Sequence, residues 1–137
     1  MDEIRVGEYL VLKDRLYTKT DEWIKVKDDI GIVGITDYAQ KKLKDIVGLE
    51  LPSPGSNVRK GESVAVIESI KAASDIYTPV SGEILEVHEE LVDMPETINR
   101  DPYGEGWIFK IKIENKDELK ELLTPEEYAK KIKSEES

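Results

Sequence analysis

Short apolar runs, broken by charged and turn-forming positions, fill most of the chain. "EYLVLKDRLYT" (8–18) and "EWIKVKDD" (22–29) are rich in Tyr, Val, Ile, Leu and Trp, and their partial alternation predicts half-buried strands. "DDIGIVGIT" (28–36) continues the pattern, with Ile30, Ile32 and Val33 set among glycines. Thr36 is a candidate cap for a short helix over "DYAQKKLKDI" (37–46), with Asp37 favourable in its first turn and lysines nearer its end. "VGLELPSPGSN" (47–57) reads as a strand entering a Pro/Gly turn. A central hairpin follows. "DMPETINRDPYGEGW" (93–107) is predicted to be loop with one helical turn, and "WIFKIKI" (107–113) is the last strand.

Two short helices close the pattern. Asn115 with Glu118 and Thr124 with Glu127 both have capping-box spacing, the second with Pro125 at the first helical position. Leu119, Leu122, Leu123, Tyr128 and Ile132 supply their apolar contacts, and the residues after Ile132, "KSEES", are expected to fray. The pattern predicts a β-rich α+β fold, a sandwich or barrel with helices on its edges. No Pro- or Ser-rich linker divides it, so 1–137 is read as one domain, with 1–16 as an additional N-terminal strand segment and 114–137 as C-terminal helices.

Composition narrows the function. A chain of 137 residues suits one core, and 39% hydrophobic residues suffice to build it. Against 20 Lys and Arg stand 30 Asp and Glu, a net charge of −10 that disfavours nucleic acid and anionic membrane surfaces. The same charge favours partners that present basic patches. With no cysteine, disulfides, thiolate metal sites and cysteine nucleophiles are excluded. The single histidine, His88, has no nucleophile motif beside it and is expected to play an ordinary surface role. The N-terminal stretch reads as neither a signal peptide nor a membrane span, so a cytoplasmic protein is expected.

One lysine stands apart. In "VIESIKAASDIYTP" (66–79), Lys71 falls at the predicted hairpin tip between Ile70 and two alanines, with no carboxylate within two residues on either side. "KGESVAV" (60–66) and "SGEILEV" (81–87) align without gaps, pairing Gly61 with Gly82, and Lys71 lies between these two glycines. Each glycine is expected to make a turn of positive φ that launches a strand. Such a pseudo-twofold pair would present Lys71 at its outer turn. Local pattern alone leaves two readings open: a solvated tip lysine, or an unhindered amine on a rigid scaffold suited to carrying a prosthetic arm.

The stretch "ESIKAASDIYTPVSGEI" resembles the lipoylation segment of the glycine cleavage system H protein family. "YTKTDEWIKV" (17–26), "VGITDYAQKKLKDIVGLELPSPGSNVRKGE" (33–62) and "PETINRDPYGEGWIFKIKI" (95–113) resemble that family's other stretches, in the same order. Biotinyl domains typically flank their lysine with Met, whereas Ile70 and Ala72 stand here. The resemblance implies a barrel–sandwich hybrid of the lipoyl/biotinyl-carrier type. It implies a monomeric, non-catalytic shuttle with lipoate amide-linked to Lys71. Its implied partners are glycine decarboxylase (P protein), aminomethyltransferase (T protein), dihydrolipoamide dehydrogenase (L protein) and a lipoate-attaching enzyme. Glu68 and Gly55 match positions that the family associates with recognition by that last enzyme. Trp23 and Trp107 are expected in the core, and Glu105 is expected to be a loop-structuring acceptor.

Two departures accompany the match. Asp21 stands where the family's "TKTxEW" motif has histidine, and an extra apolar stretch, Tyr9 to Leu12, precedes Tyr17. They leave open a lipoyl carrier of another pathway, such as lipoate relay or sulfur oxidation. An unmodified β-rich binding module is a third reading.

Overall fold

A computed structural model describes residues 2–137. The strands are β1 (Glu3–Val6), β2 (Tyr9–Leu12), β3 (Leu16–Tyr17), β4 (Glu22–Lys27), β5 (Ile30–Ile35), β6 (Ile46–Glu50), β7 (Asn57–Val58), β8 (Ser63–Ser69), β9 (Ala73–Tyr77), β10 (Gly82–Val87) and β11 (Phe109–Ile113). The helices are α1 (Asp37–Leu43), α2 (Glu90–Asp93), α3 (Thr97–Arg100) and α4 (Pro125–Glu136), with a 3₁₀ turn over Lys116–Glu121.

Six strands form one antiparallel sheet in the order β3-β4-β5-β11-β10-β7, and three form a second in the order β6-β8-β9. Ile24 and Val33 from β4 and β5, Ile84 and Ile111 from β10 and β11, and Ile67 and Ile76 from β8 and β9 are all fully buried in one cluster. The core therefore lies where the inward faces of the two sheets meet, as the alternating pattern requires. This is the expected β-rich, sandwich-like architecture with helices at its edges.

A second cluster ties the N-terminal hairpin β1–β2 to α1 and α4. Val11, Tyr17, Trp23, Tyr38, Tyr128 and Ile132 are its buried members. Tyr17 stacks on Tyr128 with ring centroids 4.5 Å apart, and the Trp23 indole N–H donates to the carbonyls of Ile35 and Pro102 at 2.9 and 3.1 Å. Trp23 is thus core, as expected. Trp107 is only half-buried, packed between the His88 ring and the Lys110 ammonium.

Local signals at helix ends mostly hold. The Thr36 hydroxyl accepts from the amide of Ala39, and Thr124 with Glu127 closes a full capping box around Pro125. Asn115 caps the amide of Asp117, but Glu118 does not complete the second box. Its carboxylate instead accepts from the Ser81 amide and hydroxyl at 2.8 and 3.0 Å, tying the 3₁₀ turn to the start of β10. The C-terminus does not fray after Ile132. Helix α4 runs through Glu136 because the Tyr38 hydroxyl donates to both Glu135 and Glu136 at 3.0 Å, and Lys42 pairs with Glu136 at 2.7 Å. Those partners come from α1, distant in sequence, so no local pattern could reveal them.

The two glycines aligned by the internal repeat differ. Gly61 has φ +85° in a turn before β8, with open space around it. Gly82 is the first residue of β10 and has no positive φ; a Cβ there would lie 1.9 Å from the carbonyl oxygen of Lys112. Close approach of two strands, not turn conformation, requires glycine at 82.

Candidate functional site

Strands β8 and β9 pair from Ser63↔Tyr77 up to Glu68↔Ala73, leaving Ser69 to Ala72 as the tip. Ser69 holds the tip together. Its amide donates to the Ala72 carbonyl at 2.8 Å, and its hydroxyl oxygen accepts from the amides of Lys71 and Ala72 at 3.2 and 3.1 Å. This side chain thereby satisfies the donors that a tight turn strands. From outside the hairpin, the Ile70 amide donates to the Asp45 carbonyl at 3.0 Å, fixing the tip to the segment entering β6. Lys71, Ala72 and Ala73 are exposed, and among the described residues the ion pairs all lie elsewhere. The amine therefore stands free on a backbone fixed at both flanks.

The other predicted recognition residues separate. Glu68 is exposed on the outer face of the three-stranded sheet, its carboxylate over Gly48, where a Cβ would sit 3.1 Å from Oε1. It is close to the tip but makes no ion pair with Lys71. Gly55 lies in the turn between β6 and β7 with φ +88°, its amide donating to the Ile84 carbonyl at 2.7 Å. Strand β6 begins beside the tip, with Ile46 opposite Ser69, and runs away from it to Glu50 opposite Val66. Gly55 follows that far end and is not brought to Lys71.

A cleft of about 350 Å³ opens at the other end of the same hairpin, lined by Thr18, Thr20, Glu22, Lys60, Gly61, Tyr77 and Leu122 among others. Glu22 is its chemical centre, buried to 1% exposure. One carboxylate oxygen accepts from the hydroxyls of Thr18 and Thr20, and the other from the Tyr77 amide at 3.0 Å. Burial pushes the Glu22 carboxyl above its ordinary range, against the pull of these donors. Sequence pattern alone does not single out Glu22. Its one local signal is an acid placed directly before the tryptophan that opens a buried strand.

Other expectations meet a different geometry. His88 is not a plain surface residue: its side chain is 13% exposed, stacked on Trp107 at 4.2 Å, with Nδ1 2.7 Å from the Trp107 carbonyl oxygen. The acceptor that organises the "DPYGEGW" loop is Asp101, not Glu105. Asp101 accepts from the amides of Gly104 and Gly106 through its carbonyl and from that of Glu105 through Oδ2, whereas Glu105 is exposed. Asp21 accepts from the Tyr128 hydroxyl at 2.9 Å and the Lys131 ammonium at 3.2 Å. Burial raises its carboxyl, and Lys131 opposes that rise. Among the described residues no group of three His, Cys, Asp or Glu is placed to hold a metal. No helix among them is long and apolar enough to cross a membrane.

A barrel–sandwich hybrid that holds one unpaired lysine at a rigid hairpin tip has the build of a lipoyl/biotinyl-carrier-like protein. The sequence model of the family "Glycine cleavage H-protein" matches residues 15–135. The chain is 60% identical over 135 residues to "Probable glycine cleavage system H protein 1" of Saccharolobus solfataricus, covering 97% of this chain and 98% of that one. It is 53% identical over 126 residues to the glycine cleavage system H protein of Carboxydothermus hydrogenoformans, covering 92% and 97%. A crystal structure of a glycine cleavage system H protein from Mycobacterium marinum superposes with a TM-score of 0.83 at 41% identity, over 89% of this chain and 98% of that one. The chain belongs to the glycine cleavage H-protein family.

Proposed function

We propose that this chain is the lipoyl carrier of the glycine cleavage system and that Lys71 bears the arm. The observation that carries the reading is the tip itself. An exposed amine stands on a turn fixed by Ser69 and Asp45, followed by two alanines and with no ion pair among the described residues, so an attaching enzyme can reach it and the fold loses nothing on its conversion to an amide. When attached, lipoate supplies a dithiolane that accepts the aminomethyl group of glycine from the decarboxylase and presents it to the aminomethyltransferase. The chain's own residues contribute placement, tethering and partner contact, and an enzyme of its own is not part of this reading. Tethering raises the effective concentration of the cargo at each partner. Dihydrolipoamide dehydrogenase and a lipoate-attaching enzyme complete the set of partners.

The cleft at Glu22 has a place in the same reading. Its buried carboxylate, flanked by two threonine hydroxyls, has the acceptor chemistry that would hold an amine brought there by the arm. Holding such an amine would keep a labile group out of bulk water between visits.

Peptide mapping and intact mass of the chain from its native cells test the assignment, with lipoate expected on Lys71 alone. The lipoylated chain should support glycine-dependent carbon dioxide exchange with glycine decarboxylase, and Lys71→Arg, which keeps the charge but loses the primary amine, should not. Lipoate on another lysine overturns the site. A fully lipoylated chain inert in exchange, at low salt and beside an active H protein, overturns the pathway.

A further inference from the structure

Four large apolar side chains remain in solvent around the start of β6 and the hairpin tip. Ile70 is 64% exposed, Val47 58%, Met94 50% and Val92 49%. Among the described residues only Ile30 and Leu85, both less exposed, share that condition, and they lie on the six-stranded sheet. Ile70 is the tip residue next to Lys71. Val47 is the extra residue of a β-bulge, because Ile46 pairs with Ser69 and Gly48 with Glu68, leaving Val47 without a partner between them. A bulge re-aims a side chain, and here it leaves a valine in solvent beside the tip. Helix α2 packs against β6 through Leu91, buried with Ile46 and Leu49, and leaves Val92 and Met94 outward. Single exposed apolar residues are ordinary, but four gathered at one end of a sheet beside a free amine are a binding surface.

Charges of both signs surround it, with Lys44, Lys71 and Arg100 exposed among the acids. Asp45, Glu68, Glu90 and Asp93 are exposed there, and the only ion-pair contact among them is Glu90 with His88 at 3.8 Å. A partner that fits this end presents an apolar recess with polar groups at its rim.

We propose that the surface formed by Ile70, Val47, Val92 and Met94 is the docking site for the lipoate-attaching enzyme, an inference that rests on the carrier reading of Lys71. The argument is one of reach. In attachment the new amide joins Nζ of Lys71 to the carbonyl carbon of an activated lipoyl acyl donor, an adenylate or a thioester. The adenylate or thiol departs with the bonding pair, and the amine's protons pass to the leaving group and solvent. That bond forms one lysine side chain from Ile70, so the enzyme's active-site mouth must close over the tip. Enzymes that work on the dithiolane meet the far end of the arm, a full lipoyl chain further out.

The test uses the unmodified full-length chain, a lipoate-attaching enzyme, lipoic acid and ATP. Ile70→Ser with Val47→Ser keeps every backbone donor of the tip, and Val92→Ser with Met94→Ser probes α2. Each pair should raise KM for attachment about tenfold, from the apolar area that can no longer be covered, with kcat little changed. Thermal unfolding should stay with the parent, since the side chains are already in water. Once driven to full lipoylation, the variants should support exchange with glycine decarboxylase as the parent does. Unchanged KM in both pairs overturns the inference while leaving the carrier reading intact, and so does an equal loss in attachment and exchange. A parent chain that accepts no lipoate at all overturns the carrier reading and this inference with it.

Discussion

Replacing Gly82 by alanine should be among the costliest single-methyl changes this fold can receive. An added Cβ would meet the Lys112 carbonyl oxygen at 1.9 Å, its carbon at 2.9 Å and Ile111 Cγ1 at 3.1 Å. Ordinary contact begins near 3.4 Å, so the strands must part by 3.4 − 1.9 = 1.5 Å. Strand β11 cannot retreat freely, because it is held between β10 and β5. Parting it from β10 endangers the ladder bonds around Gly82↔Ile113 and the pairing Gly82↔Val58 with β7. Two lost ladder bonds at about 1 kcal/mol each, with an overpacking cost of about 1–3 kcal/mol, give about 3–5 kcal/mol. Gly61→Ala is the control. Its φ of +85° strains any L residue, but nothing lies within 4 Å of the new atom, so it should cost only about 1–2 kcal/mol. Urea unfolding of the two variants, with m-values matching the parent, measures both. Equal destabilisation would refute the close-approach argument and restore a turn role to both glycines. Lipoylation of Lys71 should fall in Gly82→Ala only as far as the folded fraction falls, because the two residues lie on different sheets.

Ser69→Ala should lower the lipoylation rate and speed hydrogen exchange at the Lys71 and Ala72 amides, which lose their acceptor, while Ser69→Thr restores both. Unchanged exchange would refute the Ser69 hydroxyl as the acceptor that holds these two amides. Glu22 has a folded-state pKa above its unfolded one, so its ionisation opposes folding, and stability is lost as pH rises from the unfolded value through the folded one. Glu22→Gln should remove that loss, so the parent-minus-variant stability difference, measured by urea unfolding across the mildly acidic range, should grow more negative with pH; parallel curves would contradict the burial argument. Tyr38→Phe removes the donor to Glu135 and Glu136 and should cost about 1 kcal/mol, with faster amide exchange in the last turn of α4. No change in that turn's exchange would mean that Lys42 suffices to hold it.

Legibility tracked the range of the interactions. Period-two runs located β4, β5 and β11, and the Thr36 and Thr124 caps were readable because each rests on residues three apart. Lys71 was readable as an oddity for the same reason: its tip is built from Ser69 to Ala72 within one hairpin. What failed depends on remote partners. Glu118 leaves its box for Ser81, Glu135 and Glu136 are held by Tyr38, and Gly82 is glycine because of Lys112. The bulge that exposes Val47 follows from pairing between β6 and β8, which no local pattern encodes. Glu22 stayed hidden because its three donors come from a turn and from a strand 55 residues away.

The two departures from the family pattern prove to be one structural unit, and it lies away from the tip. Asp21 has φ +72°, a left-handed conformation in which Asp and His are both enriched, so exchanging one for the other leaves the backbone unstrained. What changes is the partner on α4, where Lys131 sits 3.2 Å from Asp21 and also pairs with Glu135 at 2.8 Å. The extra apolar stretch forms β2, whose Val11 is buried in the cluster with Tyr128 and Ile132 of the same helix. From its start the Tyr9 hydroxyl donates to Glu136 at 3.3 Å. Both differences therefore act on α4, which closes the second cluster over Trp23 and Tyr17. None of these contacts involves β8, β9 or the Ser69–Ala72 tip. Neither departure touches the Lys71 tip, but Asp21 closes the Thr18–Glu22 turn beside the cleft and adds its charge to that of Glu22, so of the two it is the one that reaches the proposed amine site.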